Sequence, residues 1–416
     1  MSTQLNSGHA EPAENPSEKV PSRISPLGGT RLKWIGRLVA LAIGLILMGL
    51  AELAFRLFTP FPPTSLRTYR QDSRYMYFHA PDSLGYEISP WNEFPPVKLR
   101  YNAHGFRGPA FPQSKPAGEK RIFLLGDSFV EARQLKEAQT VSVQMENALR
   151  PLLGNVRVVN AGCSAYTTTT EYLLLKHHVL AFQPDAVVLF VAFNDYCDNF
   201  WYGNYSQYKD VFSHGLPASL MPSAYSVSAL RPATFKDKLT TYSAIAAFMN
   251  RQRNRAAPPA LQPTKELVEP MQFHRTPRQV NKAPLDEQEQ AVLEFTHEGI
   301  RQIAALCREH RIPLTLTIIP LPPQVSGQEW KRGRVSYGWR ENEQISQTFY
   351  QDRLKTLAKE LGTPCLDLLE PYRNATANGR VFLDYDGHLS ARGHAIAARE
   401  LADRISPMLN DQATRR

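Results

Sequence analysis

The sequence predicts an α/β protein, a doubly wound parallel sheet with helices on both faces, preceded by one N-terminal transmembrane helix. Three observations carry that expectation. Short continuous apolar runs, as at 122–125 and 186–191, have the look of strands buried on both faces. Stretches with a helical apolar period alternate with them. Ahead of both, an uncharged apolar run over 38–51 follows the basic residues Arg31, Lys33 and Arg37.

Composition is compatible with this class. Of 416 residues, 43% are apolar and 21% charged, which excludes a wholly disordered chain, a collagen-like repeat and a polytopic membrane protein. The net charge of +9 is spread without dense Lys/Arg blocks, so no nucleic-acid partner is expected. It suits attraction to anionic envelope polymers or lipids, and equally simple solubility. The 32 prolines predict long irregular connections. No Cys-x-x-Cys pair marks a zinc or dithiol site.

At the N-terminus, residues 1–30 are polar and lack an apolar period, as in a disordered cytoplasmic tail. A span needs about 20 residues, and extending the apolar run to 34–58 supplies them. Trp34 and Phe58 then serve as interfacial anchors, with Arg37 and Glu52 near opposite surfaces. The basic flank keeps the N-terminus cytoplasmic and sends the rest out, to the periplasm. Two readings compete. A cleaved signal peptide has an apolar region of this length, but it seldom carries 37 residues in front, and no Ala-x-Ala site follows Ala51. A buried core helix fits poorly with the proline-rich stop at 59–63.

Beyond the anchor, 59–118 reads as a loop-rich linker and leader, and 119–410 as the main domain. Strands are expected at 121–125, 156–159, 185–191, 314–319 and 365–368. Helical patterns separate them at about 135–151, 167–180, 286–310, 341–361 and 391–408. In the third of these, Val292, Phe295, Ile303 and Leu306 share one face. The arrangement expected is a doubly wound, flavodoxin-like sheet. Residues 200–285, rich in Pro, Tyr, Ser and Arg, form an insertion too long for an ordinary loop, read as bordering the site or else as a disordered excursion.

Ligands of open α/β sheets bind beyond the carboxyl ends of the strands, and those ends are polar here. They carry Gly126-Asp127-Ser128, then 160–165, then Asn194-Asp195, with Asp384-Tyr385-Asp386-Gly387-His388 before the last helix. A serine at a strand-to-helix turn is exposed, with its own N–H suited to a developing anion. It is a weak nucleophile until a histidine takes its proton, and a carboxylate fixes that histidine. Asp386 and His388, two apart in an extended turn, project to one side. Each element also has a plainer reading: Gly-Asp-Ser as a common turn, Asn-Asp as a helix cap, Asp-Gly-His as a surface turn. His394 competes with His388 but falls within the last helix, where a surface or N-terminal position is expected. The four elements in this order favour a site.

These motifs resemble those of the SGNH hydrolases, or GDSL-type esterases, in their membrane-anchored branch. Residues 126–132 (GDSFVEA) resemble the first block, which implies Ser128 as nucleophile. Residues 158–166 resemble the second, whose donor glycine is Ala165 here; its N–H survives as a donor if φ stays negative. Residues 189–195 resemble the third, implying the Asn194 amide as oxyanion donor beside the N–H groups of Ser128 and Ala165. Residues 386–394 resemble the last, with His388 as base. The common spacing D-x-x-H would fall on Tyr385, so the D-x-H variant selects Asp386, and Asp384 is the weaker alternative. Leu84-Gly85-Tyr86 and 102–108 resemble the leader of the anchored branch. The likeness covers about 82–200 and 290–408.

The resemblance implies a serine ester hydrolase acting through an acyl-enzyme on acyl or acetyl esters of envelope glycans, lipids or small molecules, without metal or cofactor. Two alternatives share the residues: an O-acyltransferase for an envelope polysaccharide, and a non-catalytic anchored scaffold. Cys163 and Cys197 lie at adjacent strand ends, where a bridge is conceivable in an oxidising compartment; Cys307 and Cys365 read as core residues. The topology has a direct check. A reporter fused after Pro63 is expected to be active only when exported, and activity in the cytoplasm alone would refute the orientation.

Overall fold

The computed structural model describes residues 27–58, 68–72, 74–89, 91–196, 199, 243–246, 249 and 281–414. The chain divides into two units, 1–57 and 58–416. The first holds helix α1, Leu27–Phe58, of 32 residues. Within it Lys33–Leu57, with mean hydropathy 2.4, is long and apolar enough to cross a membrane. Its large side chains, Trp34, Leu41 and Ile46 among them, are exposed, which sets the core-helix reading aside. The helix begins inside the segment read as disordered: residues 27–30 continue its first turn, and the rest of that tail lies outside the described residues.

In the second unit the predicted strands are all present. β5 (Lys120–Leu125), β6 (Val156–Asn160), β7 (Ala186–Val191), β8 (Leu314–Ile318) and β9 (Cys365–Asp367) pair in parallel, in the order β6-β5-β7-β8-β9. Their side chains are almost entirely buried, as strands covered on both faces require. The helices run α2 (Ser128–Glu131), α3 (Val141–Leu153), α4 (Thr168–His177), α5 (Glu287–Glu309), α6 (Pro322–Val325), α7 (Phe349–Glu360), α8 (Leu369–Ala375) and α9 (Ala391–Thr414). From β5 the chain steps to one side, to β6, and then crosses back to β7. Right-handed crossovers therefore put α3 on one face and α4 on the other. α9 packs on α3 and α5 packs on α4, completing both layers. The reversal between β5 and β7 opens a crevice at their carboxyl ends, where this fold binds ligands.

The leader departs from the expected loops. It forms two antiparallel hairpins, β1 (Tyr69–Asp72) with β2 (Met76–His79), and β3 (Leu84–Glu87) with β4 (Val97–Arg100). Four-residue strands are too short to register as a period, and such hairpins are marginal unless they pack on something. These do: Tyr75, Tyr77, Phe78 and Phe106 join the main core. Arg107 bridges to Asn160 at the end of β6. Nearly all of the insertion at 200–285 lies outside the described residues, as does Cys197. Cys163 is a buried free thiol that burial pushes to a higher pKa.

Candidate active site

The site begins where β5 ends. Gly126 is required there, because a Cβ would fall 2.3 Å from Val130 Cγ2. Asp127 caps α2: its Oδ1 accepts the Phe129 N–H at 2.9 Å and its Oδ2 accepts from Asn194 Nδ2 at 2.6 Å. This buried carboxyl is pushed up by desolvation. Ser128, the first residue of α2, is half-buried, and so are Ala165, Asn194, Asp386 and His388.

The geometry brings three of the predicted residues into one line. His388 Nε2 lies 2.7 Å from Ser128 Oγ, and His388 Nδ1 lies 2.5 Å from Asp386 Oδ1. Nδ1 faces a carboxylate and so carries the proton, leaving Nε2 to accept from the hydroxyl. Burial alone would lower the imidazole, but the Asp386 charge and hydrogen bond outweigh it and hold His388 above its ordinary value. The same contact overcomes burial at Asp386 and keeps its carboxyl below the usual range. Gln134 Nε2 sits 3.1 Å from His388 Nδ1, and the Phe129 ring lies 4.9 Å from the imidazole.

Asp384, the alternative carboxylate, turns away to Arg380 at 2.8 Å and Arg332 at 3.4 Å. His394 is not at the surface. It is 1% exposed, its Nδ1 accepts the first N–H of α3 from Val141 at 3.1 Å, and burial lowers it to about 3. It caps a helix. It stands near the N-terminus of α9, as expected, and is buried because α9 packs on α3, a contact that local sequence does not encode.

The N–H groups of Ser128 and Ala165 have no partner among the described residues. Ala165, however, has φ 61 rather than a negative value. The turn over 163–166 demands the left-handed conformation that a glycine would take freely, and alanine takes it at a cost. That turn is held from several sides. The carboxylate of Glu131 accepts from Ser164 N at 2.7 Å and Ser164 Oγ at 2.5 Å, while Tyr77 OH donates to the Ser164 carbonyl at 2.6 Å. Gly162 lets the same loop approach α2, since a Cβ there would meet Glu131 N at 2.3 Å.

Glu131 was missed by sequence reasoning. It is 0% exposed and also accepts from Tyr101 OH at 2.5 Å and Tyr69 OH at 3.2 Å, with His79 Nε2 at 3.1 Å. Burial would raise it, but His79, Arg133 and the Ser164 donors together hold it well below the ordinary glutamate range. Its signal was present: an acid between apolar residues in the short stretch Phe129-Val130-Glu131-Ala132. No group of three or more potential metal ligands occurs among the described residues.

Residues 124–396 match the sequence profile of the GDSL-like Lipase/Acylhydrolase family. The chain belongs to that family. Among curated proteins no match is found. Solved structures match at low identity and low TM-score. A G-D-S-L family protein from Desulfitobacterium hafniense DCB-2 is 14% identical, covering 68% of this chain and 98% of its own, with a TM-score of 0.32. Axe2, an acetylxylan esterase from Geobacillus stearothermophilus, is 14% identical over 69% and 94%, with a TM-score of 0.35. LAE5, an α/β hydrolase from the metagenome of Lake Arreo, Spain, is 12% identical over 69% and 94%, at 0.36. In this GDSL-like acylhydrolase, the first-block serine and the last-block histidine thus face each other directly.

The strain at Ala165 has a measurable consequence. Relieving left-handed alanine returns about 1–2 kcal/mol, and the extra freedom of glycine in the unfolded chain takes back roughly 0.5–1. Ala165→Gly is therefore expected to stabilise the protein by up to about 1 kcal/mol in denaturant titration while keeping the N–H donor. A destabilised variant would show that the strain is absent.

Proposed function

We propose that this GDSL-like acylhydrolase cleaves acyl esters through a covalent acyl-enzyme, with Ser128 as nucleophile, His388 as base and acid, and Asp386 as its orienting carboxylate. The observation that carries the reading is the imidazole bridging Ser128 Oγ at 2.7 Å and Asp386 at 2.5 Å. In the first step Ser128 Oγ bonds to the acyl carbon and its proton passes to His388 Nε2. The former carbonyl oxygen becomes an anion facing the N–H groups of Ser128 and Ala165 and the Asn194 amide. Collapse breaks the ester bond, and the leaving alcohol takes the proton from His388. Water then repeats the sequence and releases the acid.

Asn194 Nδ2 donates to Asp127 Oδ2 at 2.6 Å, which ties the amide to the turn that carries Ser128. The substrate class follows from the setting. An apolar N-terminal helix behind a basic flank suits a signal anchor with the catalytic domain outside the cytoplasm, and there the esters within reach are acylated or acetylated envelope glycans and lipids.

Ser128→Ala and His388→Ala are each expected to remove nearly all turnover of short-chain aryl esters, because the two act as a unit. Asn194→Ala is expected to cost about 10²–10³-fold, the scale of one oxyanion donor. A serine-reactive phosphonate should label Ser128 alone, read by peptide mapping; labelling elsewhere, or full activity without Ser128, sinks the mechanism.

The pH profile provides a separate check. His388 must be neutral to accept a proton, and its pKa is raised. Activity should therefore rise with pH through a limb above the ordinary histidine value of about 6.5. Asp386→Asn should lower the rate and move that limb down. A limb unmoved by this change would mean that Asp386 does not act on His388.

A further inference from the structure

The turn that presents Asp386 and His388 is gripped by a leader residue that no motif includes. The carboxylate of Glu93 accepts from three consecutive backbone N–H groups: Asp384, Tyr385 at 3.1 Å and Asp386 at 3.0 Å. Glu93 belongs to the connection between β3 and β4, where its own N–H is held by Ser89 Oγ at 2.9 Å. The hairpin is fixed in turn by Glu87 pairing with Arg133 at 2.7 Å. Beside Glu93, the Trp91 ring lies parallel to Tyr385, at 5.9 Å between centroids and 9° between planes.

On its other side the same turn is held through its carbonyls. Gly333 N donates to Asp384 O at 2.9 Å and Trp330 Nε1 to Tyr385 O at 3.2 Å. Gly387, with φ 84, lies so close to Trp330 that a Cβ would approach Nε1 to 2.6 Å. The 384–387 backbone is thus pinned between Glu93 and the Trp330–Gly333 segment. A carboxylate accepting several N–H groups makes charge-assisted bonds, stronger than neutral ones and directional. Arg332 and Arg380 pair with the Asp384 side chain in the same turn.

We propose that Glu93 is a positioning residue, whose carboxylate sets the 384–386 backbone so that Asp386 holds His388 in line with Ser128. This rests on the Ser128–His388–Asp386 reading above. It makes the leader a working part of the catalytic centre. A glutamine at this position keeps the size of the side chain, but its single carbonyl oxygen cannot replace two charged acceptors for three donors. The turn then relaxes, and small displacements of a catalytic group are costly in rate. The groups facing His388 are Asp386, Asp127, Glu87 and Gln134, so a looser Asp386 shifts the balance at the imidazole toward its ordinary value.

The test uses the purified full chain in detergent, with p-nitrophenyl acetate as probe. Glu93→Gln is expected to lower kcat about tenfold or more, with KM within about twofold, and to move the acid limb of kcat/KM toward lower pH. Glu93→Asp, which keeps the charge on a shorter stem, should lose less and retain the limb. If Glu93→Gln does not fold, the aspartate variant decides alone, by a lowered kcat at unchanged KM. Wild-type kcat and an unmoved limb would overturn the proposal, as would a lowered melting temperature with an unmoved limb. Ser128→Ala is measured in parallel. If it is inactive while Glu93→Gln is normal, only the positioning role fails; if it is active, the mechanism itself fails.

Discussion

A carboxylate sealed inside the protein, one turn of helix beyond Ser128, constrains much of what surrounds it. Glu131 has no access to water, and an ionised group in that position is tolerated only when its oxygens are fully engaged. Its partners come from three separate stretches: Tyr69, His79 and Tyr101 in the leader, Arg133 beyond α2, and Ser164 in the loop after β6. Satisfying this one charge therefore draws the leader hairpins against the sheet and fixes the turn that carries Ala165. Arg107 adds to the same assembly by donating to the carbonyls of Glu131 and Ala132 and, at 2.5 Å, to that of Leu135. Removing the leader would expose the charge and release the turn together.

The features around Ser128 that look unfavourable in isolation share one location. A left-handed alanine, two unpartnered N–H groups and a buried carboxyl at Asp127 each cost stability. They persist because the surrounding framework over-determines them. β5 and β6 end in residues packed within the core, and the close approach of Gly162 to α2 leaves the loop no room to relax. On the proposed mechanism, these unpaired donors await a developing negative charge.

Charge is arranged around His388 with similar economy. Three carboxylates favour its charged form: Asp386 in direct contact, and Asp127 and Glu87 through their charge. Burial opposes the imidazolium, and these anions more than compensate. Two histidines of the region behave oppositely. His388 has a carboxylate partner and is raised, whereas His394, with only a backbone N–H to accept and Arg107 near it, is lowered. The difference between base and helix cap is set by neighbours, not by residue type.

The sequence by itself determined the sheet and pointed to the candidate site residues. Runs such as 122–125 and 186–191 are continuously apolar because both faces of a parallel sheet are covered, and that requirement is local enough to read. Ser128, Asn194, Asp386 and His388 were legible because strand ends in this fold are where polar residues converge, and because their motifs are short. The apolar helix over 33–57 was legible from length and hydropathy alone. Only the tertiary structure decided the rest. The leader hairpins, the burial of His394, the left-handed Ala165, and the roles of Glu131 and Glu93 all depend on contacts between distant segments. Glu93 meets the N–H of Asp386 across nearly three hundred residues of chain, and Glu131 meets Tyr69 across more than sixty. No periodicity records such a meeting. Which acid is clasped by backbone donors, and which merely faces water, is settled when the chain closes around it.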